Sequence, residues 1–220
     1  MVRDVRRGIR PRTLVLLLAA LLLGLAGCTS PDNGSGVVIR KAADPEGYRG
    51  ASIPQPYQLP DATFTDSTGG QFNLRTTSSK PVELFFFGYT NCPDVCIAAM
   101  SDLATALNRL EPQVRDQVQV VFVTTDPARD TPEVMKAYLD RFDPSFVGVT
   151  AELPRIKEVA QQVGVDFDKM ETLPSGGYEV AHSAQVIGFD SQRNGVVVWT
   201  QGTAIGDLMA DFNLLVERQG

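Results

Sequence analysis

The 220-residue chain is 43% hydrophobic and 21% charged, a composition typical of a globular protein with enough length for one mid-sized core. Its 20 basic and 26 acidic residues give a net charge of −6 at pH 7, and beyond the first 12 residues no basic run interrupts the acidic background. Because such a surface has little with which to neutralise phosphates, nucleic acid is not expected as a partner.

The first 27 residues are typical of an export signal rather than of a fold. Five Arg precede a Leu- and Ala-rich run over residues 14–26, which is too short to span a bilayer comfortably. The run ends in LAGC, which resembles the lipobox of bacterial lipoproteins, where the Cys becomes the acylated first residue. The resemblance implies a signal peptide over residues 1–27, whose removal takes away five Arg and one Asp and lowers the net charge from −6 to −10. It also implies a lipid on Cys28 that holds the exported protein at the outer face of the cytoplasmic membrane. The alternative is an ordinary signal peptide with an unrelated Cys.

Residues 28–57 are rich in Gly, Pro, Ser and Asp and show no sustained helical or strand period. This composition indicates a flexible, lipid-anchored tether. One folded domain is then expected over residues 58–220.

Hydrophobic periodicity within residues 58–220 predicts an alternation of strands and helices. A hairpin over residues 62–66 and 71–74 comes first, and the largely apolar run PVELFFF predicts a central strand buried on both faces. The next helix, over residues 95–110, is expected to bury Ile97, Met100, Leu103, Ala104, Leu107 and Leu110. Further strands are predicted at residues 118–123, 146–149, 184–189 and 196–199, and further helices from Thr131 and over residues 153–163 and 206–216. This order predicts the α/β class, as a thioredoxin-like three-layer sandwich with an N-terminal β-hairpin.

The segment YTNCPDVC carries both Cys of the predicted domain, directly after the central strand. Cys92 and Cys96 are expected on the turn and first turn of the next helix, with Pro93 at its N1 position. The positive end of the helix dipole is expected to lower the pKa of these thiols, and the four-residue spacing lets both sulfurs face one ion. A disulfide across three residues would stabilise the fold little, which favours chemistry over structure. Two small buried hydrophobes are the alternative interpretation.

Three ordered segments, FFFGYTNCPDVC, TTDPARDTPEVMKAYLDRF and YEVAHSAQVIGFD, resemble the Sco/SenC family. Members of that family are thioredoxin-like, membrane-tethered proteins that bind copper and assist assembly of the binuclear copper centre of cytochrome c oxidase. The resemblance implies Cu(I) or Cu(II) bound by Cys92, Cys96 and His182, with the copper-bearing oxidase subunit as partner. The chain departs from the family pattern where Ile97 replaces the usual Pro after the second Cys, and where Ala181 replaces the common acidic residue before the His.

His182 is the only His of the chain, and it is expected in a loop just before a strand. A lone His usually has no chemical role, but in a thioredoxin-like topology this loop lies across from the Cys-bearing helix start. Two thiolates and an imidazole form a soft donor set that suits copper. Asp126 and Asp130 follow the second parallel strand, where they are expected to support the site or dock a partner. The alternative is that Asp130 or Thr131 is simply the N-cap of the next helix.

Two functions use the same pair of sulfurs. The first is a copper metallochaperone that delivers copper to, or prepares, the oxidase centre, and this would be an assembly factor rather than an enzyme. The second is a thiol–disulfide oxidoreductase that reduces the Cys pair of an oxidase subunit, which needs a thiolate and a resolving thiol but no imidazole. A thiol peroxidase is the third alternative, and the paired Cys and the His-bearing loop argue against it.

Overall fold

A mixed eight-stranded β-sheet forms the centre of the computed structural model, which describes residues 44–172, 178–182 and 184–219, with the backbone alone at residues 169–172 and 178–182. The sheet contains β1 (Ala51–Gln58), β2 (Thr63–Asp66), β3 (Gln71–Asn73), β4 (Val82–Gly88), β5 (Val118–Thr124), β6 (Val147–Thr150), β9 (Gln185–Phe189) and β10 (Asn194–Thr200). A separate hairpin pairs β7 (Phe167–Thr172) with β8 (Tyr178–His182). The helices are α1 (Val95–Asn108), α2 (Pro112–Arg115), α3 (Pro132–Leu139), α4 (Leu153–Gln162) and α5 (Ile205–Glu217).

The strand order of the large sheet is β1-β10-β9-β4-β5-β6-β2-β3. β4, β5 and β6 run parallel, whereas β9 is antiparallel to β4. The element order and the β2–β3 hairpin confirm the predicted thioredoxin-like α/β sandwich, although the short helix α2 was not predicted. Because parallel strands end at the same side of a sheet, the starts of α1, α3 and α4 meet at one border, which we call the carboxyl edge. No helix in the described ranges is both long and apolar enough to cross a membrane.

The central strand β4 lies between β9 and β5 and is covered on both faces. All seven of its residues are buried. The ring of Phe85 packs edge-on against Phe189 of β9, with 5.1 Å between centroids, and Phe86 packs against Phe122 of β5 at 6.1 Å. A strand covered on both faces needs apolar side chains in both directions, which is why the unbroken Phe run predicts this position.

The sheet begins earlier in the chain than the predicted domain boundary. β1 pairs antiparallel with β10, and its side chains are mostly exposed. The buried carboxylate of Asp211 in α5 anchors the start of β1, because it accepts hydrogen bonds from the backbone N–H groups of Arg49 (2.7 Å) and Gly50 (2.8 Å) and from the indole of Trp199 (2.6 Å). The structure therefore corrects the predicted end of the tether over residues 51–57. An edge strand held by backbone pairing shows no hydrophobic alternation by which it could be recognised.

One acidic residue, Glu83, lies inside the apolar strand β4. It is fully buried, and its Oε2 lies 3.4 Å from Nε of Arg193, which also donates hydrogen bonds to three backbone carbonyls. Burial raises the pKa of Glu83 to about 7, and the nearby Arg193 and Ser78 offset this only in part.

Glu83→Gln should therefore flatten the dependence of stability on pH. A carboxyl whose folded-state pKa is raised binds its proton more tightly in the folded state, so its stabilising contribution is complete below pH 4.5 and is lost as the pH rises through about 7. The loss amounts to about 3 kcal/mol at alkaline pH. Urea unfolding between pH 5 and pH 8.5 measures it, with the exposed Glu111→Gln as the control. An unchanged slope in Glu83→Gln would contradict the assignment.

Candidate metal centre

The loop between β4 and α1 holds both Cys of the domain at the carboxyl edge. α1 begins at Val95 with Asp94 as its N-cap residue, and the Asp94 side chain makes no capping hydrogen bond. Pro93 therefore precedes the cap and does not occupy N1 as predicted. Ile97, predicted on the buried face of this helix, is 38% exposed, because the buried face is set by Cys96 and Met100.

The structure brings the two thiols together. Cys92 and Cys96 are buried, with exposed fractions of 5% and 0%, and no disulfide joins them. The backbone N–H of Cys96 donates to Sγ of Cys92 at 3.4 Å, and the N–H of Cys92 donates to the carbonyl of Tyr89 at 3.2 Å. Gly88 leaves room for this arrangement, since a Cβ at that position would lie 2.9 Å from Sγ of Cys96.

Burial shifts the pKa of Cys96 in the direction opposite to that expected at a helix start. The pKa of Cys96 lies far above its usual range, first because burial disfavours the charged thiolate and second because of the neighbouring Cys92. The prediction of a lowered pKa at the helix start was therefore wrong for Cys96. In the metal-free protein this thiol keeps its proton at neutral pH, and a soft metal ion must displace that proton to bind.

Asp130 connects the Cys loop to the end of β5. Its fully buried carboxylate accepts hydrogen bonds from the N–H of Thr90 (3.0 Å), the hydroxyl of Thr90 (2.6 Å) and the hydroxyl of Thr124 (2.7 Å). Burial raises the pKa of Asp130, and these bonds oppose the shift. The N-cap of α3 is Thr131, whose hydroxyl accepts from the N–H of Val134 at 3.3 Å. Thr131 is therefore the N-cap residue of α3. Asp130 instead holds Thr90, which lies two residues before Cys92.

Asp126 is also buried at this edge. Its carboxylate pairs with Arg129, and its N–H donates to the Thr124 hydroxyl at 2.9 Å. The guanidinium of Arg129 lies 5.7 Å from the ring centre of Tyr89, the residue to which Cys92 donates its backbone hydrogen bond. Asp126 thus supports, through Arg129, the loop that presents Cys92.

His182 is the last residue of β8 and not part of a loop as predicted, but it does lie just before the predicted strand, since β9 begins at Gln185. Its backbone pairs directly with Phe167, which lines a cavity of about 720 Å³ together with Asp126. The following strand β9 places Val186 opposite Phe86, so the chain returns to the sheet at the carboxyl edge. The side chain of His182 lies outside those described. Among the side chains that the structure does describe, no group of three or more His, Cys, Asp or Glu residues is arranged to hold a metal.

Tyr138 lies on the buried face of α3, the helix that the sequence predicts from Thr131. Its side chain is almost fully buried, it packs on Phe122 at 5.8 Å, and within the described ranges its hydroxyl has no hydrogen-bond partner. Its pKa is raised first by burial and then by Cys96 and Cys92, which places the phenol in the electrostatic neighbourhood of the thiols. Nothing in the helical pattern distinguishes this Tyr from an ordinary core aromatic.

Comparison with known proteins identifies the family. The sequence model of the SCO1/SenC family matches residues 51–217, which is most of the chain. The protein belongs to the SCO1/SenC family. The match begins at Ala51, the first residue of β1, and includes Cys92, Cys96 and His182.

Two relatives from different lineages illustrate the range of the family. A protein of Stutzerimonas stutzeri, named as a candidate copper-binding protein, is 30% identical over 145 residues, which cover 65% of this chain and 70% of the relative. The mitochondrial SCO1 protein of Saccharomyces cerevisiae is 32% identical over 145 residues, which cover 66% of this chain. The chain spans only 47% of that yeast protein.

Solved SCO1/SenC structures share the fold over nearly their full length. Apo Sco1 of Thermus thermophilus is 32% identical, with a TM-score of 0.68, covering 76% of this chain and 96% of that chain. ScoI of Bradyrhizobium japonicum, solved with copper bound, is 29% identical, with a TM-score of 0.63, covering 73% of this chain and 97% of that chain. BsSco is described as having a disulfide switch and as a member of a family of cytochrome c oxidase assembly proteins. It is 18% identical, with a TM-score of 0.58, covering 75% of this chain and 96% of that chain. At this identity the likeness supports the fold alone.

Proposed function

We propose that this SCO1/SenC protein is a copper metallochaperone that delivers copper to, or prepares, the binuclear copper centre of cytochrome c oxidase. Its copper ligands are Cys92, Cys96 and His182, and its partner is the copper-bearing oxidase subunit. The observation that carries the proposal is the pair of neighbouring, buried thiols at the start of α1.

The donor set supports copper over other metals. Two thiolates with one imidazole form a soft, three-membered set, whereas closed structural zinc sites use four protein ligands. The related ScoI of Bradyrhizobium japonicum has been solved with copper bound. In this chain both sulfurs are buried, so a metal ion held by them would be shielded from bulk water, and the Asp130–Thr90 bonds hold the loop that presents Cys92.

His182→Ala tests the ligand set and separates the two functions that use the thiols. We expect Cu(II) affinity to fall at least about tenfold while both thiols remain reactive, because a ligand is removed without touching the dithiol. Purified variant and wild type would be titrated with Cu(I) and with Cu(II), and the variant would be scored for oxidase activity in cells. Unchanged Cu(II) binding would remove His182 from the site.

A thiol–disulfide oxidoreductase is the second candidate, and one geometric feature favours it. Cys92 retains 5% exposure while Cys96 has none, which suits an outer attacking thiol and an inner resolving thiol. If His182→Ala loses copper but still supports oxidase assembly in cells, thiol reduction is the main function.

We infer that the chain is an exported lipoprotein, with Cys28 acylated and a tether leading to the folded domain. The LAGC sequence at the end of the apolar run supports this, and residues 1–43 lie outside the described part of the chain. A membrane anchor suits a chaperone whose partner is a membrane-bound oxidase subunit.

Cys28→Ala should release the protein from membranes into the soluble fraction, since the acyl chains that anchor it can no longer be attached. Fractionation followed by immunoblotting measures the shift, and mass spectrometry of the wild-type N-terminus provides the control. A mature wild-type N-terminus without lipid would contradict the anchor.

A further inference from the structure

Tyr138 carries a buried hydroxyl that makes no hydrogen bond to any residue in the described ranges. Its side chain is 6% exposed, and solvent does not reach the hydroxyl oxygen. Burying a hydroxyl without a hydrogen bond costs free energy, and Phe would fill the same space without that cost. A polar group of this kind in a native core calls for an explanation, and a role at a neighbouring reactive site is a common one.

The strand register places Tyr138 and Cys96 on the same face of the sheet. Phe122 lies two residues before the partner of Gly88 in β5, so both positions point to one face. A Cβ on Gly88 would lie 2.9 Å from Sγ of Cys96 and 3.2 Å from the ring of Phe122. The sulfur and this ring therefore border the same small space. The ring of Tyr138 packs on Phe122, with 5.8 Å between centroids.

Helix α3 directs Tyr138 towards the thiols. The other buried side chains of this helix, Met135 and Leu139, cover Gly148 of β6, where a Cβ would lie 3.0 Å from each of them. Tyr138 instead packs on Phe122 of β5, the strand that lies between β6 and β4. The phenol therefore extends from α3 across the face of the sheet in the direction of β4 and the two sulfurs.

The electrostatic surroundings of the phenol agree with this placement. Burial raises the pKa of Tyr138 most, and Cys96 follows, ahead of Cys92. The phenol therefore keeps its proton at neutral pH and is available as a donor. Asp130 has a smaller effect on this pKa, and its carboxylate already accepts hydrogen bonds from Thr90 and Thr124. Of these neighbours, Cys96 is the one that the surroundings favour as acceptor.

We propose that Tyr138 is a positioning residue of the metal centre, and that its hydroxyl donates a hydrogen bond to Sγ of Cys96 when this sulfur is a metal-bound thiolate. A protonated thiol is a weak acceptor, whereas hydrogen bonds to an ionised group are strong. Cys96 gives up its proton when it binds copper, so the strong acceptor exists only in the loaded protein. This inference rests on the proposed function, because it adds a residue to the same site.

Tyr138→Phe tests the proposal, because it removes the hydroxyl and leaves the ring. We expect Cu(I) affinity to fall about tenfold, since a hydrogen bond to a metal ligand is lost. The thiolate-to-Cu(II) charge-transfer band should move to longer wavelength, because a sulfur without this hydrogen bond gives up electron density more easily. The unfolding midpoint of the metal-free variant should equal or exceed that of the wild type, because a buried hydroxyl without a partner is removed.

The three quantities are measured on the purified mature protein. Competition against a chromophoric Cu(I) chelator gives the affinity, absorption spectroscopy of the Cu(II) form gives the band, and urea unfolding of the reduced, metal-free protein gives the midpoint. A Tyr with a merely structural role would behave differently, since its replacement would lower the midpoint and leave the band in place.

Two control variants separate the hydroxyl from packing. Tyr57→Phe removes a hydroxyl from β1 at the opposite border of the sheet, where Tyr57 pairs with Gly195, and it should match the wild type in affinity and absorption. Phe142→Leu keeps the Tyr138 hydroxyl but alters the ring that packs edge-on against it at 5.2 Å. This variant should have a lower unfolding midpoint and an unchanged charge-transfer band.

The outcomes separate the role of Tyr138 from copper delivery. An unchanged band in Tyr138→Phe would overturn the role, and so would a lower midpoint of the metal-free variant, because the hydroxyl would then have a partner before metal binds. An equal shift of the band in Phe142→Leu would assign the effect to packing and overturn it as well. If Tyr138→Phe loses affinity and shifts the band while the wild type transfers no copper to the oxidase subunit, the role stands and the delivery function fails. A wild type that binds no Cu(I) would overturn both.

Discussion

Cys96→Ser should lower Cu(I) affinity by about a hundredfold or more, because it replaces one of two soft sulfur donors with a hard hydroxyl. The substitution is nearly isosteric, and the Cys96 side chain lies fully buried against Gly88, so the fold should be kept. Competition against a chromophoric Cu(I) chelator measures the affinity. Unfolding in urea checks that the variant remains folded.

Two comparisons make this prediction specific. Oxidised wild type, in which a Cys92–Cys96 disulfide consumes both donors, should also fail to bind, whereas Ser101→Ala, on the exposed side of α1, should bind normally. Because burial raises the pKa of Cys96, copper must displace its proton, so wild-type affinity should increase with pH and Cys96→Ser should lose part of that slope. Wild-type affinity in Cys96→Ser would exclude the buried thiol as a ligand.

Asp130→Ala should reduce the free energy of unfolding by about 2 to 4 kcal/mol, since the N–H and hydroxyl of Thr90 and the hydroxyl of Thr124 lose a buried acceptor. For a domain of this size, the melting temperature should fall by about 5 to 10 °C. The loop should also loosen, because Thr90 lies two residues before Cys92. Alkylation of Cys92 should therefore be faster in the variant than in the wild type.

The control for this variant is a carboxylate that makes only a surface ion pair. Asp140 pairs with Lys136, and both side chains are well exposed, so Asp140→Ala should cost less than about 1 kcal/mol. Asp130→Asn keeps one acceptor oxygen and should fall between the two. Equal stability of Asp130→Ala and Asp140→Ala would show that the Thr90 and Thr124 bonds contribute nothing.

The sequence by itself determined the features that depend on local pattern. The Phe-rich run marked β4 as the central strand, because burial on both faces demands apolar residues throughout. The four-residue spacing of Cys92 and Cys96 placed their sulfurs together, and Thr131 with Pro132 marked the start of α3. The three motif segments led to the family, which the match over residues 51–217 confirmed.

Only the tertiary structure decided the features that depend on partners distant in the chain. β1 is held by its pairing with β10 and by Asp211, which binds the two backbone amides directly before the strand, and neither contact leaves a period in the local sequence. The raised pKa of Cys96 and the role of Asp130 follow from burial, which the helix-start position does not reveal. Periodicity reports which face of an element is covered, whereas desolvation and hydrogen bonding depend on what covers it, and that is settled only when the elements pack.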